Sequence, residues 1–378
     1  MNKSYFFTAA MLTICTCVCL SCARKPEKHG DGELVEMRHA RNITMRALGD
    51  SVTIVQLVNP WDSTQTLAKY LLVERGYSAT ESLPKDAAII EVPVERSIVY
   101  AGVHASLISE LGASQSIAGV CDAEYMKVPY VKNGLSDGTV ADCGLSSAPV
   151  MEKIIELRPD AILLSPYENS DETARFSRIG ATTVLTADYM ESTPLGRAEW
   201  IKFYGRLFGK GEQADSLFAA VETEYDKWKA IASRGNGKPS VLFDRPYSGI
   251  WDVPTSGSVT GIIIEDAGGS NPFDSYSQGG SAHLSPEEVI HTARNADIWL
   301  IRHFEPNLSM HDLARDNSLY TKIKAYKTGN VLFANTMETT LFDDGAFHPD
   351  KVLSEMVRLI HPELCEEGDS LVYYKKLK

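Results

Sequence analysis

Basic charge, cysteine and long apolar runs are all scarce in this chain. Of 378 residues, 37 are Lys or Arg against 50 Asp or Glu, a formal net charge of −13. Nucleic-acid binding that tracks phosphates runs on clustered Lys and Arg, so the balance argues against a nucleic-acid partner. Of the 7 cysteines, Cys15, Cys17, Cys19 and Cys22 lie near the N-terminus, leaving Cys121, Cys143 and Cys365. That odd set does not make a disulfide framework, although one Cys121–Cys143 bridge stays open. No run after residue 22 is apolar and long enough to span a bilayer. The motifs GxGxxG, GxSxG and HExxH are absent, and none of the 9 histidines has a second histidine at i, i+4. Gly205-Arg206-Leu207-Phe208-Gly209-Lys210 has three residues between its glycines where a phosphate loop needs four, and Gly211 replaces the needed Ser or Thr. The reading is therefore not an enzyme: no catalytic residue, no cofactor and no resident metal.

What is present begins at the N-terminus. Lys3 is the only charge before Arg24, and between them runs SYFFTAAMLTICTCVCLSC, a stretch of secretory-signal type. It ends in Ser21-Cys22, a small residue before a cysteine, the pattern of a bacterial lipoprotein signal. Residues 1–21 are expected to be a signal peptide, Cys22 the lipidated residue, and 22–50 a polar, flexible tether beginning ARKPEKHGDGE. No acidic run follows Cys22, which favours a periplasm-facing anchor. The expected location is the periplasm, with membrane attachment through lipid alone.

Two strand-like runs, VTIVQLV and KYLLVE, flank the turn-rich NPWDSTQ between Ser51 and Pro93. From Glu91 onward, strands and helices alternate. RSIVYAG, SIAGV, AILLS and TTVLTAD read as strands, with VHASLISELGA and PVMEKIIELRPD as helices between them. This is the signature of a doubly wound parallel sheet. After a helical region, PLGRAEWIKFYGRLFG followed by EQADSLFAAVETEYDKWKAIAS, the alternation resumes. SVLFD, DIWLIRH and NVLFAN are its strands. The two halves echo each other: Met151-Glu152-Lys153-Ile154-Ile155 and Pro286-Glu287-Glu288-Val289-Ile290 both precede an Asp and an apolar strand. Ser285 and Glu288 form a capping box at the second of these helices.

Signal, tether, lobe, helix and lobe in this order resemble the substrate-binding proteins of ABC importers for iron-siderophore complexes, haem and vitamin B12. The resemblance covers Glu91 to Leu364. It is carried by VERSIVYAGVHASLISELGA, APVMEKIIELRPDAILLS, IIIEDAGG, HLSPEEVIHTARNADIWLI and VRLIHPEL. It implies an α/β fold of two Rossmann-like lobes with parallel sheets, bridged by a single long helix; the β-rich N-terminal region is an extension. The expected division is a first lobe with its extension at 51–191, a bridging helix at 192–210 and a second lobe at 211–378. The implied role is a monomeric, lipid-anchored capture protein delivering an iron-siderophore complex or haem to an inner-membrane permease–ATPase complex. A corrinoid cargo is the alternative. A chelatase on the same scaffold is the alternative from another class.

Open α/β sheets hold ligands beyond the carboxyl ends of their strands. The residues there are His104, Asp122, Tyr167 and Tyr189 in the first lobe, and Arg245, Tyr247, Trp251, Arg302, His303 and Phe304 in the second. Aromatic faces suit a planar chelate, and guanidinium groups suit an anionic one. The family docks on its permease through one glutamate per lobe. The matching positions are Glu152 and Glu287, where the helix dipole also favours a carboxylate.

Overall fold

The computed structural model describes residues 32–77, 84, 86–168, 170, 172–276, 279–304, 308–366 and 370–378. The proposed signal and Cys22 lie outside them.

The chain starts with an open sheet in the order β1 (Glu33–Leu34), β2 (Ile43–Leu48), β3 (Val52–Val58), β4 (Thr66–Glu74) and β5 (Ala88–Val92). Its neighbours are antiparallel except β4 and β5, which run parallel. The expected tether is thus already part of the fold from residue 33. In β2, ITMRAL alternates inward and outward, and Ile43 and Met45 enter the core.

The first lobe follows: β6 (Ser97–Val99), α1 (Gly102–Glu110), β7 (Ile117–Val120), α2 (Pro129–Asp137), β8 (Ala141–Asp142), the two-stranded ribbon β9 (Gly144–Leu145) and β10 (Ala148–Pro149), α3 (Met151–Leu157), β11 (Ala161–Leu164), α4 (Glu172–Ser177) and β12 (Thr183–Leu185). The order β12-β11-β6-β7-β8 is parallel throughout. One core cluster joins this sheet to the extension, with Met45, Leu57 and Leu72 packed alongside Ile98, Ile162 and Val184. The Tyr70 hydroxyl of β4 accepts the Leu185 amide of β12 at 2.9 Å. The extension is thereby fixed to the first lobe.

The expected bridging segment, 192–210, is two short helices, α5 (Pro194–Glu199) and α6 (Ile201–Leu207). Trp200, Ile201, Phe203, Tyr204 and Leu207 fill the first-lobe core. The bridge is the next helix, the 22-residue α7 (Gly211–Ala232). Its apolar stripe starts at Ala214 in the first-lobe core and ends at Tyr225 and Ala232 in the second. Gly205 permits the close α6–α7 approach: a Cβ there would lie 2.3 Å from that of Ala214.

The second lobe contains β13 (Val241–Phe243), β14 (Trp251–Pro254), α8 (Val259–Asp266), β15 (Ser281–Leu284), α9 (Pro286–Thr292), β16 (Ile298–His303), α10 (Met310–Asp316), α11 (Lys324–Lys327), β17 (Val331–Asn335), α12 (Leu341–Asp344), α13 (Pro349–Ile360) and β18 (Lys375–Lys376). The order β13-β16-β17-β18 is parallel apart from β18, and β14 and β15 form a separate antiparallel ribbon. Alternate residues of β16 feed opposite cores: Ile298 and Leu300 one, Trp299 and Ile301 the other. The expected capping box is half formed. Ser285 accepts the Glu288 amide, but the Glu288 carboxylate instead accepts the Tyr276 hydroxyl. Among the described residues, no helix is long and apolar enough to cross a membrane.

Candidate functional site between the lobes

The segments that follow β12 and β13 meet the end of β16 in a cleft of about 520 Å³. The first lobe contributes Tyr189, Met190, Glu191 and Ser192, and α5 contributes Arg197. The second lobe contributes Asp244, Arg302, the α8 entrance at Gly257–Thr260 and Gly279–Ser281. Of the ten ligand contacts expected from sequence, Tyr189 and Arg302 line this cleft.

Arg302 is not a free cation. Its Nε lies 3.0 and 3.2 Å from the two carboxylate oxygens of Asp244, and its Nη2 also donates to that group. Burial would lower the Arg302 pKa, but Asp244 outweighs it and raises it. Asp244 sits at φ +57° just past β13, a left-handed conformation that an Asp tolerates. The guanidinium lies over the Phe243 ring, 5.1 Å from its centroid.

Arg197 is different. Among the described residues, nothing accepts a hydrogen bond from its guanidinium, and its Nε is sealed from solvent without a partner. Burial pushes its pKa down, and the charge of Asp188 only partly opposes this. Arg197 interrupts an otherwise buried run, with Leu195, Gly196, Ala198, Glu199 and Trp200 on either side. A lone arginine in a segment otherwise bound for the core was the available sequence signal, and the helical reading of PLGRAEW passed over it.

Two expected contacts are corrected outright. His104 is 2% exposed; its Nε2 lies 3.1 Å from Asp188 Oδ1 and its ring stacks on Tyr204. It faces inward because its position on α1 lies on the buried side, with Ala105 and Ile108. Trp251 is fully buried, donates its Nε1–H to the Phe243 carbonyl and packs against Trp299 and Tyr320. It opens β14 instead of ending a loop.

The remaining candidates lie around the strand ends. Arg245 pairs with Asp316 at 3.1 Å and approaches the ring of His303, which stacks on Phe304 at 4.3 Å. Asp122, in a left-handed conformation, accepts the Ser146 amide. Tyr167, Tyr247 and Phe304 are exposed, as are Tyr125, Ile250, Met337 and Phe342; all follow strands at the same end of the two sheets. Glu152 and Glu287 stand exposed in the first turns of α3 and α9. Cys121 and Cys143 are buried and unbridged, and burial pushes their thiols up to about 12 and about 11.

Two α/β lobes, one bridging helix and a cleft at facing strand ends define a ligand-capture protein. The chain matches the periplasmic binding protein family over residues 98–336 and belongs to it. It is 28% identical over 350 residues to an uncharacterized lipoprotein of Methanocaldococcus jannaschii, covering 86% of this chain and 82% of the relative. It is 26% identical over 163 residues to the petrobactin-binding protein of Bacillus subtilis, covering 42% and 49%. Among solved structures, the periplasmic haem-binding protein of Vibrio cholerae aligns with a TM-score of 0.56 at 20% identity, covering 70% of this chain and 98% of that one. A nickel-bound Helicobacter pylori protein, CeuE, aligns with a TM-score of 0.57 at 21% identity, covering 74% and 88%. The extension through β5 precedes the matched residues.

Proposed function

We propose that this protein captures an anionic metal chelate, an iron-siderophore complex or haem, and delivers it to an ABC permease. The observation that carries the reading is Arg197, a guanidinium on the cleft wall with no accepting partner among the described residues. A guanidinium nitrogen sealed from water without an acceptor is costly, Asp188 offsets the charge only in part, and an anionic ligand supplies the missing acceptor. The exposed tyrosines and Phe304 at the strand ends add aromatic surface suited to a planar or catecholate ligand. Relatives named as petrobactin-binding and ferric-anguibactin-binding proteins support the same class of cargo. Among the described residues, no group of three His, Cys, Asp or Glu side chains is placed to hold a bare ion. Lipidation at Cys22 and permease docking through Glu152 and Glu287 complete the proposed delivery route.

The test is fluorescence titration of the full chain in detergent with haemin, a ferric tris-catecholate, ferrichrome and cyanocobalamin. An anionic iron chelate is expected to bind most tightly, and Arg197→Gln to weaken it roughly tenfold to a hundredfold, the loss of a charge-assisted hydrogen bond. Tight cobalamin binding, with no effect of Arg197→Gln, would establish the corrinoid alternative instead.

A further inference from the structure

Two buried carboxylates lie on either side of Arg197 in the chain, and both are held by the N-terminal extension. Glu199 accepts the backbone amides of Arg38, His39 and Ala40 at 2.9, 2.7 and 2.9 Å. Glu191 accepts those of Arg41 and Asn42 at 3.0 and 2.8 Å, and the Trp200 indole N–H at 3.0 Å. Asn42 Nδ2 also donates to the Met190 carbonyl at 3.1 Å. The exposures of Glu191 and Glu199 are 3% and 0%. Five successive amides therefore stand in for the water that these carboxylates lose on burial. Between them, Thr193 caps α5 by accepting the Gly196 amide at 3.0 Å, and the Arg197 amide bonds the Thr193 carbonyl at 3.1 Å. The stretch from 191 to 199 is fixed at both ends and in the middle, and Glu191 lines the same cleft as Arg197.

We infer that residues 38–42 form an amide clamp that positions Arg197 for its ligand, which makes the N-terminal extension part of the binding machinery. This rests on the reading of Arg197 as the anion contact. Glu191 and Glu199 are positioning residues: they hold the segment, and Arg197 touches the cargo. Affinity through a guanidinium depends on placement to about half an ångström, which rotamer freedom alone does not supply. The clamp lies at 38–42, ahead of the residues shared with the family at 98–336.

The test is a double-mutant cycle on the full chain with whichever of haemin or the ferric tris-catecholate binds the wild type. Glu191→Ala is expected to weaken binding about tenfold in the wild-type background and less than about twofold beside Arg197→Gln, because neighbours acting through one contact are not additive. Glu191→Gln keeps one acceptor oxygen; it is expected to fall between wild type and alanine, and it serves if the alanine variant does not fold. Equal losses in both backgrounds would overturn the inference, since a general structural defect does not depend on Arg197. Hydrogen exchange supplies a readout without ligand. Amides of 38–42 and 195–200 are expected to exchange at least about tenfold faster in the Glu191 variant, with α13 unchanged. If neither chelate binds the wild type, the cargo reading falls. The clamp then stands on exchange alone, and unchanged protection of those amides would overturn it.

Discussion

His348, at the head of α13, and Glu110, at the end of α1, meet across the two lobes: Nε2 and Oε2 are 2.7 Å apart, although 238 positions separate them in the chain. Asp350 lies 3.7 Å from the other ring nitrogen. Burial alone would lower the His348 pKa, but the nearby carboxylates of Asp350 and Glu110 outweigh it and raise the value from 6.5 to about 9. Glu110 is held below its ordinary 4.5: burial opposes this, and His348 overcomes it.

The sign of the pH effect follows. A histidine whose folded pKa is raised stabilises fully below its unfolded value, and that stabilisation is lost as pH climbs through the folded value. Stability is therefore expected to fall between about pH 6.5 and pH 9, by about 1–3 kcal/mol from this group. Glu110 works in the other direction, its share being lost as pH drops below about 4.5. Urea denaturation at pH 6 and pH 9.5 measures the first effect. His348→Gln should flatten the slope, and an unchanged slope in that variant would assign the pH dependence elsewhere.

Lys127 is a second tie between the lobes. Its ammonium donates to the carbonyls of Thr336 and Thr339 and lies 3.2 Å from Asp343 Oδ2. Asp343 is buried, and burial pushes its pKa up despite the lysine. It also approaches α1 closely: a Cβ on Gly102 would lie 3.0 Å from its Oδ1. Removing Lys127 leaves a buried carboxylate unpaired, a class of change costing about 3–5 kcal/mol. Lys127→Ala should lower the unfolding midpoint strongly, and Asp343→Asn beside it should restore part of the loss. A double variant no more stable than Lys127→Ala would show that the carboxylate is not the source of the cost.

Trp251→Ala should cost about 3–5 kcal/mol, the range for an aromatic core truncation. Trp251→Phe should retain wild-type chelate affinity, because the indole reaches no part of the cleft surface. A tenfold affinity loss in a folded Trp251→Phe variant would put the indole back at the site.

Trp251 also shows where sequence reading stops. The alternation of β16 was legible: DIWLIRH reads as a buried parallel strand, and parallel strands are covered on both faces. The strand continues to His303, so Arg302 and His303 leave on opposite sides, one toward Asp244 and the other toward Arg245. Three consecutive residues therefore could not share one role. Trp251 was misplaced because an aromatic shortly after a strand reads the same whether it ends a loop or opens the next strand. Its β15 partner, Leu284, is 33 residues away. The long α7 was legible from its apolar stripe, but its function as the bridge was assigned one helix too early. PLGRAEWIKFYGRLFG has an equally good pattern, and only tertiary packing decides which helix spans both cores. Clamping of residues 38–42 was not legible at all. It uses backbone amides, which leave no mark in side-chain identity, and carboxylates about 150 positions away.

The docking proposal makes the last prediction. Glu152 and Glu287 occupy equivalent first-turn positions in α3 and α9, and both are exposed. Two roles for them separate experimentally. As dipole partners, each contributes about 0.3–1 kcal/mol to its own helix, and replacing either with lysine costs about that much stability without touching the cleft. As docking groups they act together, and neither charge alone carries the interaction, since an exposed ion pair is worth about 0–1 kcal/mol. Reversal adds like-charge repulsion against a basic partner, so the double Glu152→Lys, Glu287→Lys variant should lose far more uptake than either single alanine variant. Radiolabelled ferric-chelate uptake in cells carrying the variant is the measurement, with chelate affinity of the purified protein as control. Uptake should collapse while affinity and unfolding midpoint stay close to wild type. Full uptake by the double lysine variant would leave the dipole as the sole use of these carboxylates and remove them from the delivery route.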